Sequence, residues 1–214
     1  MSELFDVVDE HDQVLRQESR TEVHRQRLLH RAVHVLVFNK SGEVYLQKRA
    51  ATKDTYPNRW TTSCSGHVDA GEDYDTAVVR ELKEELGIGG VRIKGAEKQR
   101  SRGTAEGRDK GRKGPEATGA KQLVISAAQL ETKNSKLETH VLHPYAKHDP
   151  CRETGWEFIW IYTLTTDIAP TPDPGEISEG QWATPAELDA WMTREPKAFT
   201  PSFILVWKLW RDKK

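Results

Sequence analysis

The alternation of apolar and polar positions along this 214-residue chain predicts a series of β-strands. Residues 32–38 carry apolar side chains on both sides of the alternation, which indicates a strand in the centre of a sheet. A turn at residues 39–42 leads from it into a second strand over residues 43–48. Residues 156–165 alternate aromatic with aliphatic side chains and predict another long strand. Shorter strands are predicted over residues 5–8, 13–15, 60–64, 91–93 and 181–182.

Apolar residues at helical spacing predict a helix that starts after Asp73 or Asp75 and ends at Gly87. An aspartate accepts hydrogen bonds from the free N–H groups of a first turn, and glycine tolerates the positive φ of a helix end. Further helices are predicted over residues 184–192 and 203–210, and a short helix or turn runs from a cap at Ser19 through Arg27. This order of elements predicts a mixed sheet with helices on both faces, an α/β fold.

The composition narrows the class of protein. A formal net charge of -1 provides no overall attraction to nucleic acid or to an anionic membrane. The two cysteines, Cys64 and Cys151, cannot form a disulfide framework. The first residues lack the basic and apolar regions of a signal peptide, and no apolar run is long enough to cross a bilayer. We expect a cytoplasmic protein.

One stretch of the chain departs from these patterns. From residue 97 to about residue 120, basic side chains alternate with glycines, and residues 131–149 are also polar. Such a segment buries too little apolar area to offset the entropy lost on ordering. The sequence therefore predicts a single domain over residues 1–214 with a disordered basic insertion at about residues 97–150.

Candidate chemistry is concentrated in residues 66–88. Glu81, Glu84 and Glu85 stand at positions i, i+3 and i+4 of the predicted helix, so we expect them on one face, away from the apolar stripe. Clustered carboxylates repel one another unless a cation neutralises them, and oxygen ligands suit Mg²⁺ or Mn²⁺. The alternative for such a charge run is an acidic, solvated helix face.

The complete pattern favours a metal site over a solvated face. Residues 66–88 read G-x5-E-x7-R-E-U-x-E-E-x-G-U, where U is a bulky aliphatic residue. This pattern is the signature of the Nudix hydrolases, which the chain resembles. The resemblance implies an α/β/α sandwich with a mixed central sheet and metal-assisted hydrolysis of a diphosphate linkage.

The resemblance also implies roles for individual residues. Glu81, Glu84 and Glu85 are expected to bind Mg²⁺ or Mn²⁺, together with the backbone carbonyl of Gly66. Either Glu84 or the distant Glu176 would act as the general base. The residues expected to orient this site are Glu72 and Arg80.

A wider likeness, outside the insertion, is to the Nudix subgroup similar to isopentenyl-diphosphate isomerase. The position of that enzyme's catalytic cysteine carries Ser65 here, and Cys64, one residue earlier, should face the other way along a strand. Serine is a far weaker acid than cysteine and a poor substitute in proton transfer. Since the isomerases also usually lack the full R-E-U-x-E-E, a hydrolase is favoured over an isomerase.

The remaining candidates each have a structural alternative. Lys48, Arg49 and Lys53 could contact substrate phosphates or remain solvated. His30 and His67, with His24, correspond to positions that hold a second metal in the isomerase branch, or they are polar residues at strand ends. Trp60 and Trp182 could stack on a base or cover an apolar tail, but we expect both in the core.

The expected partner is a small-molecule diphosphate. We expect no association with a membrane, and nucleic acid is disfavoured as a partner. A homodimer is compatible with the sequence. A non-catalytic alternative is a Nudix-fold binding module that uses its basic insertion to hold an anionic partner. The absence of aromatic residues between the basic ones argues against it, because binding to single strands needs stacking platforms.

Overall fold

A mixed β-sheet positions the candidate site residues. The computed structural model describes residues 3–95 and 140–213. Within them, the strands are β1 (Leu4–Val8), β2 (Val14–Ser19), β3 (His30–Phe38), β4 (Val44–Arg49), β5 (Trp60–Thr61), β6 (Cys64–His67), β7 (Val91–Ile93), β8 (His140–His148), β9 (Glu157–Thr165) and β10 (Ile177–Ala183). The helices are α1 (Arg20–Gln26), α2 (Tyr74–Leu86), α3 (Pro185–Arg194) and α4 (Pro201–Arg211).

The order of the strands makes β3 central, as predicted. The main sheet of the described residues has eight strands, with the order β10-β4-β3-β9-β8-β7, while β5 pairs with β4 and β6 pairs with β3. The pairs β3–β9 and β7–β8 are parallel and the other pairs are antiparallel. Strands β1 and β2 form a separate hairpin. The predicted α/β class with a mixed sheet is therefore confirmed.

One edge of β3 is shared by two partners. Strand β4 pairs with β3 only at Phe38↔Val44, and β6 takes the same edge further along, from Ala32↔His67 to Val35↔Cys64. The two partner strands are thus separated over the length of β6. Side chains from the end of β4 and from β6 can therefore face a common opening.

Apolar packing holds α4 against this sheet. Leu36, Phe38 and Ile161 belong to a buried cluster that α4 completes through Phe203 and Val206. Burying large aliphatic and aromatic side chains of this kind contributes about 1.5–3 kcal/mol each. None of the helices among residues 3–95 and 140–213 has the length and apolar character to cross a membrane.

The prediction of disorder over residues 97–150 is wrong for its last part. Strand β8 pairs with β9 on one side and with β7 on the other, although only Leu142 of its side chains is fully buried. A register shift between Pro144 and Ala146 breaks the alternation that would mark a strand in the sequence. Residues 96–139, where the rest of the prediction falls, lie outside the described residues.

Candidate active site

Helix α2 begins and ends where the sequence predicts. The side chain of Asp73 accepts a hydrogen bond from the backbone N–H of Thr76, at 2.7 Å. At the other end, Gly87 adopts φ 67° and its N–H closes the last turn. These caps satisfy backbone groups that would otherwise lack partners. They fix the helix on which the three candidate glutamates lie.

The three glutamates differ in depth. The Glu84 side chain is 60% exposed and that of Glu81 is 13% exposed, while Glu85 is buried. The expectation that all three project away from the apolar stripe is therefore wrong for Glu85. This residue is next to Leu86 on the inner border of the helix, and its carboxylate accepts from Gln47 Nε2 at 3.0 Å and from Ser65 N at 3.1 Å.

Gly66 lies directly under the Glu81 carboxylate. A Cβ atom built at Gly66 would be 2.0 Å from Glu81 Cδ and 2.1 Å from its Oε1. No side chain fits in that space. The glycine of the motif is therefore required by a close approach between β6 and α2, which brings the Gly66 backbone and the Glu81 carboxylate together.

Arg80 connects the motif loop to the helix. Its Nε and Nη2 atoms donate to the two carboxylate oxygens of Glu72, at 3.1 and 2.8 Å, and Nη2 also donates to the carbonyl of His67 at 3.0 Å. Its Nη1 donates to Glu81 at 2.6 Å and to Glu84 at 3.2 Å. Hydrogen bonds to Glu72 raise the pKa of Arg80, so it is always charged. These contacts suit the orienting roles expected of Glu72 and Arg80.

The environment of Glu81 and Glu85 changes the acidity of both carboxyl groups. Burial, together with repulsion from Glu85, raises the pKa of Glu81 to about 7 despite the contact with Arg80. Burial also raises the pKa of Glu85. Burial thus disfavours the negative charge of both carboxylates, and a nearby cation would favour it. The all-oxygen donor set and the glycine cradle fit Mg²⁺ or Mn²⁺.

A cavity of about 900 Å³ opens beside these glutamates. Arg49 and Lys53 line it, as expected of phosphate-binding residues, and Glu176 lines it as the ion-pair partner of Lys53. Lys48 is not among the lining residues, because alternation along β4 turns it toward Trp60, 5.7 Å from the ring centre, and toward Glu179 at 3.2 Å. Sequence reasoning missed Arg20, which lies at the start of α1 and lines the same cavity.

A second group of ligand-type side chains borders the cavity. His24, His30, His67 and Glu157 offer ligand atoms that all lie within 4.8 Å of one another. His67 Nε2 is 3.3 Å from His24 Nε2 and 3.2 Å from Glu157 Oε1. Sequence reasoning missed Glu157, since it opens a strand far along the chain. Parallel pairing of His30 with Glu157 brings the two residues side by side.

This histidine cluster, defined as His24, His30, His67 and Glu157, has the character of a metal site. The buried Nε2 of His30 has no hydrogen-bond partner among the described residues, although Glu157 Oε1 lies 3.4 Å away. Burial and the neighbouring imidazoles lower the pKa of His24 to about 4. Burial would raise the pKa of Glu157, but His30 and His67 keep it well below its usual range. Imidazole nitrogens with one carboxylate suit a transition-metal ion such as Zn²⁺.

The remaining candidate residues lie in different environments. Ser65 lines the cavity and Cys64 is fully buried, where burial raises the pKa of the thiol well above its ordinary value. Trp60 is buried in the core, as predicted. The prediction of a core position is wrong for Trp182, which is only partly buried and packs edge-on against Tyr45 at 5.2 Å. Neither tryptophan lines the cavity.

Comparisons with known proteins place the chain in a family. The NUDIX domain family matches residues 28–137. An isopentenyl-diphosphate Delta-isomerase of Nocardia farcinica is 32% identical over 174 residues, which cover 81% of this chain and 74% of that protein. An uncharacterized Nudix hydrolase of Yersinia pestis is 40% identical over 89 residues, which cover 42% of this chain and 49% of that protein.

A solved structure has a fold similar to that of this chain. The crystal structure of DR0079 from Deinococcus radiodurans matches with a TM-score of 0.67 and 24% identity, covering 98% of this chain and 100% of that one. This likeness concerns the fold, while the family match covers the motif and the strands from β3 to β7. The chain belongs to the Nudix family, in a subgroup similar to the isopentenyl-diphosphate isomerases.

Proposed function

We propose that this protein is a divalent-cation-dependent hydrolase that cleaves the diphosphate linkage of a small organic substrate. The observation that carries the proposal is the convergence of Glu81, Glu84 and Glu85 at the cavity beside the Gly66 backbone. Mg²⁺ or Mn²⁺ would be held there by the three carboxylates and the Gly66 carbonyl. The bound cation supplies charge neutralisation at the phosphate and acidifies water.

The protein's own basic residues would hold the substrate. Arg49 and Lys53 provide positive charge at the cavity wall, and Arg20 adds a third cation at the start of α1. The Arg49 guanidinium is held in place by hydrogen bonds to Thr55, at 2.9 Å to the carbonyl and 3.2 Å to the hydroxyl. A guanidinium fixed in this way can present its free edge to a phosphate. These residues orient the linkage toward α2.

Hydrolysis also needs a proton acceptor. As water forms its bond to phosphorus, the bridging P–O bond breaks and the water's proton passes to a carboxylate. Glu84 is the most exposed of the three helix glutamates, and Arg80 holds it at 3.2 Å. Glu176, the alternative base, is paired with Lys53 across the cavity wall. Comparing the pH–rate profiles of Glu84→Gln and Glu176→Gln separates the two assignments.

A panel of diphosphates tests the proposal. Nucleoside diphosphate derivatives, dinucleotides and isoprenoid diphosphates are incubated with Mg²⁺, with Mn²⁺ or with EDTA, and phosphorus-containing products are quantified. We expect cation-dependent hydrolysis of at least one class and none with EDTA. Cleavage that persists in EDTA, or no cleavage of any compound with either cation, would contradict the proposal.

An isomerase is the second candidate, and the histidine cluster favours it. The relative from Nocardia farcinica carries the name of isopentenyl-diphosphate Delta-isomerase. Ser65 argues against this activity, because a hydroxyl is a much weaker acid than a thiol. Cys64 cannot replace it, since its thiol is fully buried.

We therefore expect the wild-type protein not to convert isopentenyl diphosphate to its dimethylallyl isomer. The assay follows both isomers by mass spectrometry after chromatographic separation, with Ser65→Cys measured in parallel. A gain of isomerisation in Ser65→Cys alone would show that the thiol is the missing group. Efficient conversion by the wild-type protein would instead establish the second candidate.

The histidine cluster makes a separate prediction about metal binding. With Mg²⁺ in excess to occupy the helix carboxylates, we expect Zn²⁺ to bind by calorimetry and to raise the unfolding temperature. Glu157→Gln and His24→Gln remove one ligand each and should weaken Zn²⁺ binding at least about 10-fold. The control is His143→Gln, which changes an exposed histidine of β8. Equal binding by all four proteins would show that the cluster holds no metal.

A further inference from the structure

A buried histidine borders the cavity outside both groups of candidate metal ligands. His34 lies on β3, lines the cavity and is 4% exposed. Its Nδ1 atom is 3.0 Å from the hydroxyl oxygen of Thr62, which is fully buried and is not among the lining residues. One nitrogen of this imidazole is thus bound by the protein, and the chemistry of the other decides what His34 can bind.

The hydrogen bonds of Thr62 determine which nitrogen of His34 carries the proton. The Thr62 hydroxyl oxygen is also 3.2 Å from the carbonyl oxygen of Cys64, which can only accept. A hydroxyl has one hydrogen, so both contacts are satisfied only if Thr62 donates to this carbonyl and accepts from the Nδ1–H group of His34. The network therefore assigns the proton to Nδ1, which leaves a lone pair on Nε2.

The Nε2 atom of His34 is unprotonated and open to the cavity. Burial lowers the pKa of His34 to about 4, and the nearby charge of Arg49 contributes to this shift, so the ring is neutral at pH 7. Nε2 has no hydrogen-bond partner among residues 3–95 and 140–213. The side-chain atoms of that part of the chain that are fully enclosed without a partner are Arg20 Nε and His30 Nε2. His34 Nε2 is not one of them, so this acceptor is accessible from the cavity that His34 lines.

A second hydrogen-bonding side chain lies beside this acceptor. Ser65 on β6 is the register partner of His34 on β3, and it also lines the cavity. Opposite residues of an antiparallel pair project from the same face, with Cβ atoms about 4.5–5.5 Å apart. The Ser65 hydroxyl has no hydrogen-bond partner among the described residues, while the backbone N–H of Ser65 donates to Glu85 at 3.1 Å. The two side chains thus present one acceptor and one donor next to the proposed cation site.

We propose that His34 and Ser65 together bind a hydroxyl group of the substrate, close to its diphosphate. The substrate hydroxyl donates to His34 Nε2 and accepts from the Ser65 hydroxyl. A hydroxyl suits both contacts because it carries one donor hydrogen and two acceptor lone pairs. This inference rests on the proposed function, in which the diphosphate lies between Arg49 and α2.

These two contacts make the site selective for what is attached to the diphosphate. A hydrocarbon group next to the linkage removes water from His34 Nε2 without replacing its hydrogen bond. A site built to bond a hydroxyl therefore rejects analogues that lack it. Ser65 acts here through its neutral hydroxyl, so the role does not require the acidity of a thiol at this position.

The assigned tautomer is tested by nuclear magnetic resonance. In protein labelled with ¹⁵N-histidine, proton–nitrogen correlation spectra identify the protonated nitrogen of each ring, and the His34 signals are those missing from His34→Phe. We expect protonation at Nδ1 alone, unchanged from about pH 5.5 to about pH 8. Thr62→Val keeps the shape of the side chain but removes the hydroxyl, so it should move the proton to Nε2, where water in the cavity accepts it. A wild-type ring protonated at Nε2, or at both nitrogens near pH 7, would overturn the inference.

Selectivity is tested by binding without turnover. The probes are ethyl and 2-hydroxyethyl methylenediphosphonate and the matched propyl and 3-hydroxypropyl esters, so that each pair differs in a single hydroxyl. Methylenediphosphonate itself is the reference, and every probe is titrated with Mg²⁺ in a calorimeter. The variants are His34→Phe, Thr62→Val and Ser65→Ala, with His143→Phe, at an exposed position of β8, as the control. Thermal unfolding is recorded for every protein.

We expect at least one hydroxyalkyl ester to bind the wild-type protein about 10-fold more tightly than its alkyl counterpart. His34→Phe and Thr62→Val should each abolish this preference, Ser65→Ala should reduce it, and all three should leave methylenediphosphonate binding unchanged. Thr62→Val carries the test if His34→Phe does not fold. A preference that survives in these variants, or an equal loss for every probe, would overturn the role of the pair. If methylenediphosphonate binds and the hydroxyl adds no affinity, the inference fails while the proposed function stands; if no probe binds with Mg²⁺, both fail.

Discussion

Replacing Glu85 with glutamine is expected to lower cation-dependent hydrolysis at least about 100-fold while leaving the fold intact. Gln47 Nε2 and Ser65 N both donate to the same oxygen, Oε2, of Glu85. A glutamine side chain has the same shape and can offer its carbonyl oxygen to both donors. The substitution therefore removes one negative charge from the cation site while Gln47 and Ser65 keep their acceptor.

The stability of this variant provides an independent check. Burial raises the pKa of Glu85, so its ionised form is less favourable in the folded protein than in the unfolded chain. Above the folded pKa, this group lowers the stability of the cation-free protein, and a neutral glutamine relieves that cost. We expect the unfolding temperature of Glu85→Gln in EDTA at pH 7 to equal or exceed that of the wild type.

A matched variant controls for the loss of charge in general. Glu179→Gln removes a carboxylate from β10, where it pairs with Lys48 outside the cavity, and it should leave turnover near the wild-type value. Rates are compared at saturating Mg²⁺, so that weakened cation affinity is not mistaken for weakened chemistry. Near wild-type turnover by Glu85→Gln would contradict the assignment of the helix carboxylates.

Adding a single methyl group at Gly66 should also inactivate the protein. The new Cβ would be 2.0 Å from Glu81 Cδ, so either the Glu81 carboxylate or strand β6 must move. Forcing an extra carbon into a packed site costs about 1–3 kcal/mol. A displacement of about 1 Å in a catalytic group can lower the rate by about 100-fold. We expect Gly66→Ala to lose both stability and activity.

Two further variants test whether the clash with Glu81 causes the losses expected of Gly66→Ala. Gly89→Ala places a methyl group where no atom lies within 4 Å, and it should change neither stability nor activity. The double variant Gly66→Ala with Glu81→Ala removes the clash, so it should regain stability but not activity. A Gly66→Ala protein with wild-type unfolding temperature and turnover would show that Glu81 does not need its position against Gly66.

Local chemistry made α2 predictable. Its caps at Asp73 and Gly87 depend on residues within a few positions of the helix ends, and both are found where the sequence indicates. The contacts of Arg80 with Glu72 and Glu81 also stay within one loop and one helix. Interactions of this range are encoded by residue type and spacing.

Features that depend on distant strands were harder to predict. Strand β8 is stabilised by backbone pairing with β7 and β9. Its sequence is polar and a bulge follows Pro144, so the alternation of apolar and polar residues that predicts a strand is missing. Glu157 joins the histidine cluster only because β9 runs parallel to β3. The buried carboxylate of Glu85 accepts a hydrogen bond from Gln47, which lies on β4. Spacing along one helix cannot reveal such neighbours.

Isotope incorporation during hydrolysis tests the central claim most directly. The protein is incubated with Mg²⁺ and its preferred diphosphate in ¹⁸O-labelled water, and the products are analysed by mass spectrometry, with Glu85→Gln in parallel. The account predicts one ¹⁸O atom in one of the two phosphorus-containing products of the wild-type protein and no labelled product beyond background from Glu85→Gln. Unlabelled substrate that is only isomerised, or equal labelling by both proteins, would contradict it.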